Sequence, residues 1–114
     1  MSKIVTLSVS SLEEVKARFL EAAKGIPQGS RISFLTPELL WSTLSQKRWE
    51  IIHAMTGAGP ISIREVARRV GRDVKAVHGD VTALIKAGVV DRQDGKVVFP
   101  YDGVHVDFVL GKAA

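Results

Sequence analysis

Apolar and polar side chains alternate from residue 4 to residue 9, with Val5, Leu7 and Val9 on one face and Ile4, Thr6 and Ser8 on the other. A period of two predicts a strand. The period then lengthens. Leu12, Val15, Phe19 and Ala22 or Ala23 recur at helical spacing. Ser11 with Glu14 three residues on forms a capping box, in which each side chain satisfies a free N–H of the first turn. Glu13, Glu14, Lys16, Arg18, Glu21 and Lys24 fall off the apolar stripe and are expected to face water, and Gly25, Pro27 and Gly29 stop the helix. Residues 31–35 (RISFL) read as a short strand. Thr36-Pro37-Glu38 reads as the cap and first turn of a short helix through Leu39, Leu40 and Trp41.

From residue 45 the pattern is helical. Ser45 caps a helix running to about Thr56, with Trp49, Ile51, Ile52 and Met55 as its apolar positions. Gly57 and Gly59 end it. In the segment 61–70, Ser62 is the cap, Glu65 completes a second box, and Ile63, Val66, Ala67 and Val70 form the inner stripe. Gly71-Arg72-Asp73 is a tight turn, and Asp73 caps a longer helix over 74–87. Its expected buried face is Val74, Val77, Val81, Leu84 and Ile85, and Gly88 supplies a left-handed stop. Residues 89–92 and 96–99 read as strands around Gln93-Asp94-Gly95, where Asp-Gly is a strong hairpin signal. Pro100 ends the hairpin. Residues 104–110 alternate again, with Val104, Val106 and Phe108 on one face.

Helix, short helix, glycine-containing turn, longer helix and hairpin follow one another in the order of a winged helix-turn-helix. The expected fold class is therefore α+β: a winged helix-turn-helix with an extra N-terminal strand-helix-strand and a C-terminal strand. At about 100° per residue, the side of the longer helix opposite its apolar stripe carries Arg72, Lys75, Ala76, Gly79, Thr82, Ala83 and Lys86. These are small or basic, as a helix entering a groove of a polyanion requires. Gly79 breaks a local rule, because glycine inside a helix costs about 1 kcal/mol relative to alanine. Close approach of the backbone to a ligand would account for it; so would helix–helix packing or chance.

Charge sharpens this picture. The 114 residues hold 16 Lys and Arg against 12 Asp and Glu, a formal net charge of +4. Residues 45–96 carry ten basic and six acidic side chains; residues 1–44 carry five and four, and residues 97–114 one and two. The surplus thus belongs to the segment with the winged-helix pattern, where it points to a nucleic-acid partner.

Other classes fare poorly. The chain has no cysteine, which excludes a disulfide framework, a thiolate metal site and a cysteine nucleophile. His53, His78 and His105 have no ligand spacing, so neither a metal nor any other cofactor is expected. Gly57-Ala58-Gly59-Pro60 is followed by no lysine at the place a phosphate-binding loop needs, no Gly-x-Ser-x-Gly elbow occurs, and nothing marks Asp80, Asp91 and Asp94 as a catalytic pair. The expectation is a non-enzyme. No apolar run approaches the roughly 20 residues of a membrane span, and the N-terminus lacks the solid apolar run of a signal peptide, so a cytoplasmic protein is expected.

The stretch from about residue 44 to residue 100 resembles small prokaryotic winged-helix transcriptional regulators of the MarR/ArsR-like type. The runs 62–78 (SIREVARRVGRDVKAVH) and 84–90 (LIKAGVV) look like one group of small bacterial and archaeal regulators, some encoded beside a toxin partner. The resemblance implies that Lys75, Ala76 and Gly79 lie along base edges with Thr82 at the margin. It further implies that Arg64, Arg68, Arg72 and Lys86 meet phosphates, and that Arg92 and Lys96 sit on the wing near the minor groove or backbone. Gly79 departs from the group, in which a basic residue is common there. Trp41 and Trp49 are expected to pack in the core or at an interface, and His78 falls on the flank of the buried stripe.

The resemblance also implies double-stranded DNA as partner and a repressor or autoregulator as the role. The expected organisation is a dimerisation or partner segment over 1–44, a DNA-binding domain over 45–100, and a C-terminal strand and tail over 101–114. Regulators of this kind bind two half-sites, so a homodimer is expected, and a sheet of the flanking strands shared between two chains would serve as its interface. The alternative is an antitoxin or protein-interaction module that holds a toxin or other partner through those strands.

Overall fold

Val5 and Leu7 of the first strand are fully buried in the computed structural model, which describes residues 3–25 and 29–107. They belong to β1 (Ile4–Val9), the middle of a three-stranded sheet in the order β2 (Arg31–Phe34), β1, β5 (Gly103–Asp107). Both neighbours run parallel to β1: Leu7 lies opposite Ile32 and Val9 opposite Phe34, while Val5 lies opposite Val104. The strand expected over 104–110 is described from Gly103 to Asp107; Phe108 and Leu110 lie outside the described residues.

The connection from β1 to β2 contains α1 (Leu12–Ala23). Its start is the expected capping box, with Glu14 N–H donating to Ser11 Oγ at 3.1 Å and Ser11 N–H to Glu14 Oε1 at 3.3 Å. Its stripe does not behave as expected, since α1 buries no residue and Phe19 is 73% exposed. The reason is the sheet face beneath it. Ser8 and Ser33 stand opposite each other there, and Arg18, expected to face water, instead donates from Nη2 to Ser33 Oγ at 2.8 Å. Apart from Ile4 that face is lined by Thr6, Ser8, Arg31 and Ser33, so of the stripe's larger side chains only Val15 is half-buried.

The opposite face is apolar and receives the helices and hairpin between β2 and β5. After β2 come α2 (Pro37–Thr43), α3 (Gln46–Met55), α4 (Ile63–Val70), α5 (Val74–Lys86) and the hairpin β3 (Asp91–Gln93) and β4 (Lys96–Val98). Thr36 caps α2 with Pro37 at its first position, and Ser45 caps α3. Val5, Leu7 and Phe34 join Leu40, Leu44, Ile51, Met55, Val66, Val77, Val81, Leu84, Val97 and Phe99 in one continuous core. The three helices α3, α4 and α5 pack mutually, and the hairpin follows them. This is the α+β winged helix-turn-helix that the pattern predicts, with a small parallel sheet attached.

Candidate nucleic-acid interface

The geometry of α5 is set at both ends. Gly71 closes α4 in the left-handed conformation (φ 67°), and Asp73 caps α5 by accepting from the N–H groups of Lys75 and Ala76 at 3.0 and 3.2 Å. At the far end Gly88 (φ 81°) donates to the Ile85 carbonyl at 3.0 Å and Val89 to the Leu84 carbonyl at 2.9 Å, a Schellman closure. Between the caps, Val77, Val81 and Leu84 are fully buried. Val74 was expected on the same face and is instead 39% exposed, because it lies in the first turn at the rim of the contact with α4.

Helical geometry puts Lys75, Gly79, Thr82 and Lys86 opposite that buried face. Lys75, Ala76, Gly79 and Lys86 are exposed and Thr82 is half-buried, its hydroxyl donating to the His78 carbonyl at 2.8 Å. His78 is exposed as well. A methyl placed on Gly79 would meet no atom within 4 Å, which removes packing against another helix of the same chain as the reason for this glycine. The result is a notch of bare backbone between two lysines.

Asp80 anchors the helix from behind. Its Oδ1 accepts from Arg48 Nε of α3 at 3.0 Å and its Oδ2 from Arg72 Nη2 at 2.9 Å. Arg48 also donates from Nη1 to the Thr43 carbonyl at 3.0 Å, at the end of α2. Burial opposes ionisation of Asp80, but the hydrogen bonds from Arg72 and Arg48 outweigh it and hold its carboxyl below the usual carboxylate range. Arg72 was expected on the outer face beside Lys75. It is drawn inward by this carboxylate, its side chain only 19% exposed. Its Nη1 is buried without a partner. Asp80 is thus a structural counter-ion. The available signal in the sequence was its position, a carboxylate on the flank of a buried stripe in a basic segment.

Glu65 likewise departs from expectation. Its N–H is capped by Ser62 Oγ at 3.1 Å, but its carboxylate does not return to close the box. It accepts from Arg68 Nε and Nη2 at 2.7 and 2.6 Å and from Arg69 Nε at 2.7 Å. Those two arginines hold its carboxyl down at about 2. Arg68 remains exposed despite the pair, and so does Arg64.

The wing is a two-residue turn. Asp94 (φ 50°) and Gly95 (φ 78°) both take left-handed backbone, and Gln93 pairs with Lys96 across them. This is the primed turn whose twist suits a tight hairpin. Ile61 was read as part of the α4 segment; it instead bridges the wing, exchanging hydrogen bonds with Val97 at 2.9 and 2.8 Å. Arg92 and Lys96 are exposed on the wing. Among the described residues, Arg64, Lys75, Lys86, Arg92 and Lys96 form no salt bridge, so their charge is available to a ligand. Trp49 is half-buried, as packing requires, whereas Trp41 is exposed.

The HVO_A0114 family model matches residues 43–106, more than half of the chain. The chain belongs to the HVO_A0114 family. The matched region of this family member begins at the end of α2 and runs through the three helices, the wing and nearly all of β5. No curated protein matches the chain. A solved structure described as the crystal structure of the predicted DNA-binding transcriptional regulator from E. coli is similar over 80% of this chain and 83% of that one, with 19% identity and a TM-score of 0.48. A likeness that remote says nothing of what this chain binds. No described helix is long and apolar enough to cross a membrane.

Proposed function

We propose that this HVO_A0114-family chain is a sequence-specific DNA-binding transcriptional regulator that places the outer face of α5 in the major groove. The observation that carries the reading is the unobstructed notch at Gly79, flanked by Lys75 and Lys86 on a helix capped at both ends and tied down by Asp80. A B-DNA major groove of roughly 12 Å admits such a helix, and a missing side chain lets its backbone come nearer the base edges. Lys75, Ala76 and Gly79 line the base edges, with Thr82 at the margin. Arg64, Arg68 and Lys86 meet phosphates, and Arg92 and Lys96 bring the wing to the neighbouring backbone.

Arg72 takes a different role, orienting α5 through Asp80. Two chains on two half-sites about one helical turn apart form the working unit, and occupancy of the chain's own promoter makes it an autorepressor. The test is a gel shift with the DNA upstream of its own gene at two salt concentrations. The expected result is specific binding that weakens steeply with salt and is lost in Lys75→Glu. An absence of binding at low salt overturns the proposal.

A further inference from the structure

We propose that α1 is the seat of a second copy of this chain, packed antiparallel against its own α1. The proposal extends the reading above, in which two chains act together, but its basis is separate. Among α1's apolar side chains, Leu12 and Leu20 are more than half exposed and Phe19 is 73% exposed, on a helix that buries no residue. A helix of 12 residues is marginal alone in water, and an exposed apolar stripe rimmed by charge marks an interaction surface. The stripe continues across the groove between α1 and β2, lined by Leu12, Val15, Arg18, Phe19, Ser33 and Leu35, where Leu35 is again more than half exposed. Parallel sheets are ordinarily covered on both faces; here the core covers one, and α1 spans the other without burying its own stripe.

Charge selects the occupant. At 100° per residue Glu13 and Lys24 fall within about 20° of each other on one flank of the stripe, at opposite ends of the helix. Glu14 adds to the acidic first turn, and Lys24 is the C-terminal cap. A two-fold axis across the middle of α1 sets each acidic first turn against Lys24 of the other copy and opposes the two helix dipoles favourably. It also brings the two Phe19 rings to the centre, where aromatic anchors carry most of an interface. Glu13, Lys24 and Phe19 are therefore placed as a two-fold interface requires, with Lys16 of each copy beside the axis.

Sedimentation equilibrium of the full chain without DNA tests this. The expected mass is twice the 12.4 kDa of one chain at micromolar concentration. Phe19→Glu should reduce it to one chain. Glu13→Lys alone and Lys24→Glu alone should each weaken association about tenfold or more, and the double exchange should restore it. Since the exchange arm compares folded, charge-swapped chains, it decides the matter even if Phe19→Glu disturbs folding. A wild-type chain that stays at single mass, or a double exchange that associates no better than the singles, overturns the proposal. Neither result bears on whether the chain binds DNA.

Discussion

Arg72 and Asp80 form a 2.9 Å ion pair that turns a guanidinium from the turn before α5 back onto the helix it introduces. Arg48 meets the same carboxylate from α3 at 3.0 Å. Two cations share one anion, so losing different members should cost differently. Asp80→Ala strands both guanidinium groups in a half-buried setting and should destabilise the fold by about 2–3 kcal/mol. Arg72→Ala leaves Asp80 its Arg48 partner and should cost about 1 kcal/mol. Urea unfolding of the two variants measures the difference; equal costs would mean that the carboxylate does not join the two arginines.

Gly79→Ala should separate stability from binding. With nothing within 4 Å of the added methyl, the substitution removes only the glycine penalty and should stabilise the fold by about 1 kcal/mol. If the notch admits the helix to the groove, affinity for the chain's own upstream DNA should fall in the same variant. Thermal unfolding and fluorescence anisotropy on one preparation report both. A variant stabilised with unchanged affinity would leave the glycine without a binding role.

The acid limb of stability should carry the signature of Glu65. Hydrogen bonds from Arg68 and Arg69 lower its carboxyl from 4.5 to about 2. A carboxyl lowered by folding contributes stability that is full above its unfolded value and is lost as the pH falls through the folded one. The stability difference between wild type and Glu65→Gln should therefore shrink as pH drops from 4.5 toward 2 and level off below. Because the pair is exposed, the difference should be small and should fade in high salt. Asp80, also lowered, adds a loss in the same direction below its ordinary range.

Phosphate contacts should be visible in the salt dependence. Replacing Lys86 by Gln should weaken binding to all duplexes alike and reduce the slope of log affinity against log salt by about 1, whereas Lys75→Gln should also relax sequence preference. Arg72→Ala should leave the slope unchanged, because its charge is spent on Asp80. A slope change for Arg72 equal to that for Lys86 would return Arg72 to the phosphate contacts.

Local signals in the sequence were enough for the elements. Ser11 with Glu14, Asp73, Gly88 and Asp94-Gly95 each act within a few residues of themselves, and each does in the structure what its type requires. Long-range partners were not legible. The alternation in β1 marks a buried face but not that β2 and β5 pair with it in parallel. The stripe of α1 marks an apolar side but not that a serine-lined face lies beneath it. Glu65 satisfies the spacing of a capping box, yet two nearby arginines outbid one backbone N–H. Arg48 and Asp80 are 32 residues apart, and only the packing of α3 against α5 joins them. On α5, helical periodicity alone placed Lys75, Gly79, Thr82 and Lys86 on one face; it misplaced Val74 and Arg72 at the rim, and Ala83 and Ile85 are half-buried.

Amide chemical-shift mapping of the full chain, titrated with a duplex from upstream of its own gene, shows whether α5 and the wing carry the DNA contact. The largest changes are expected at Lys75, Ala76, Gly79 and Thr82, with a second set at Arg92 and Lys96 on the wing. Changes confined to α1 and the parallel sheet, with α5 unmoved at saturating duplex, would contradict a contact through α5.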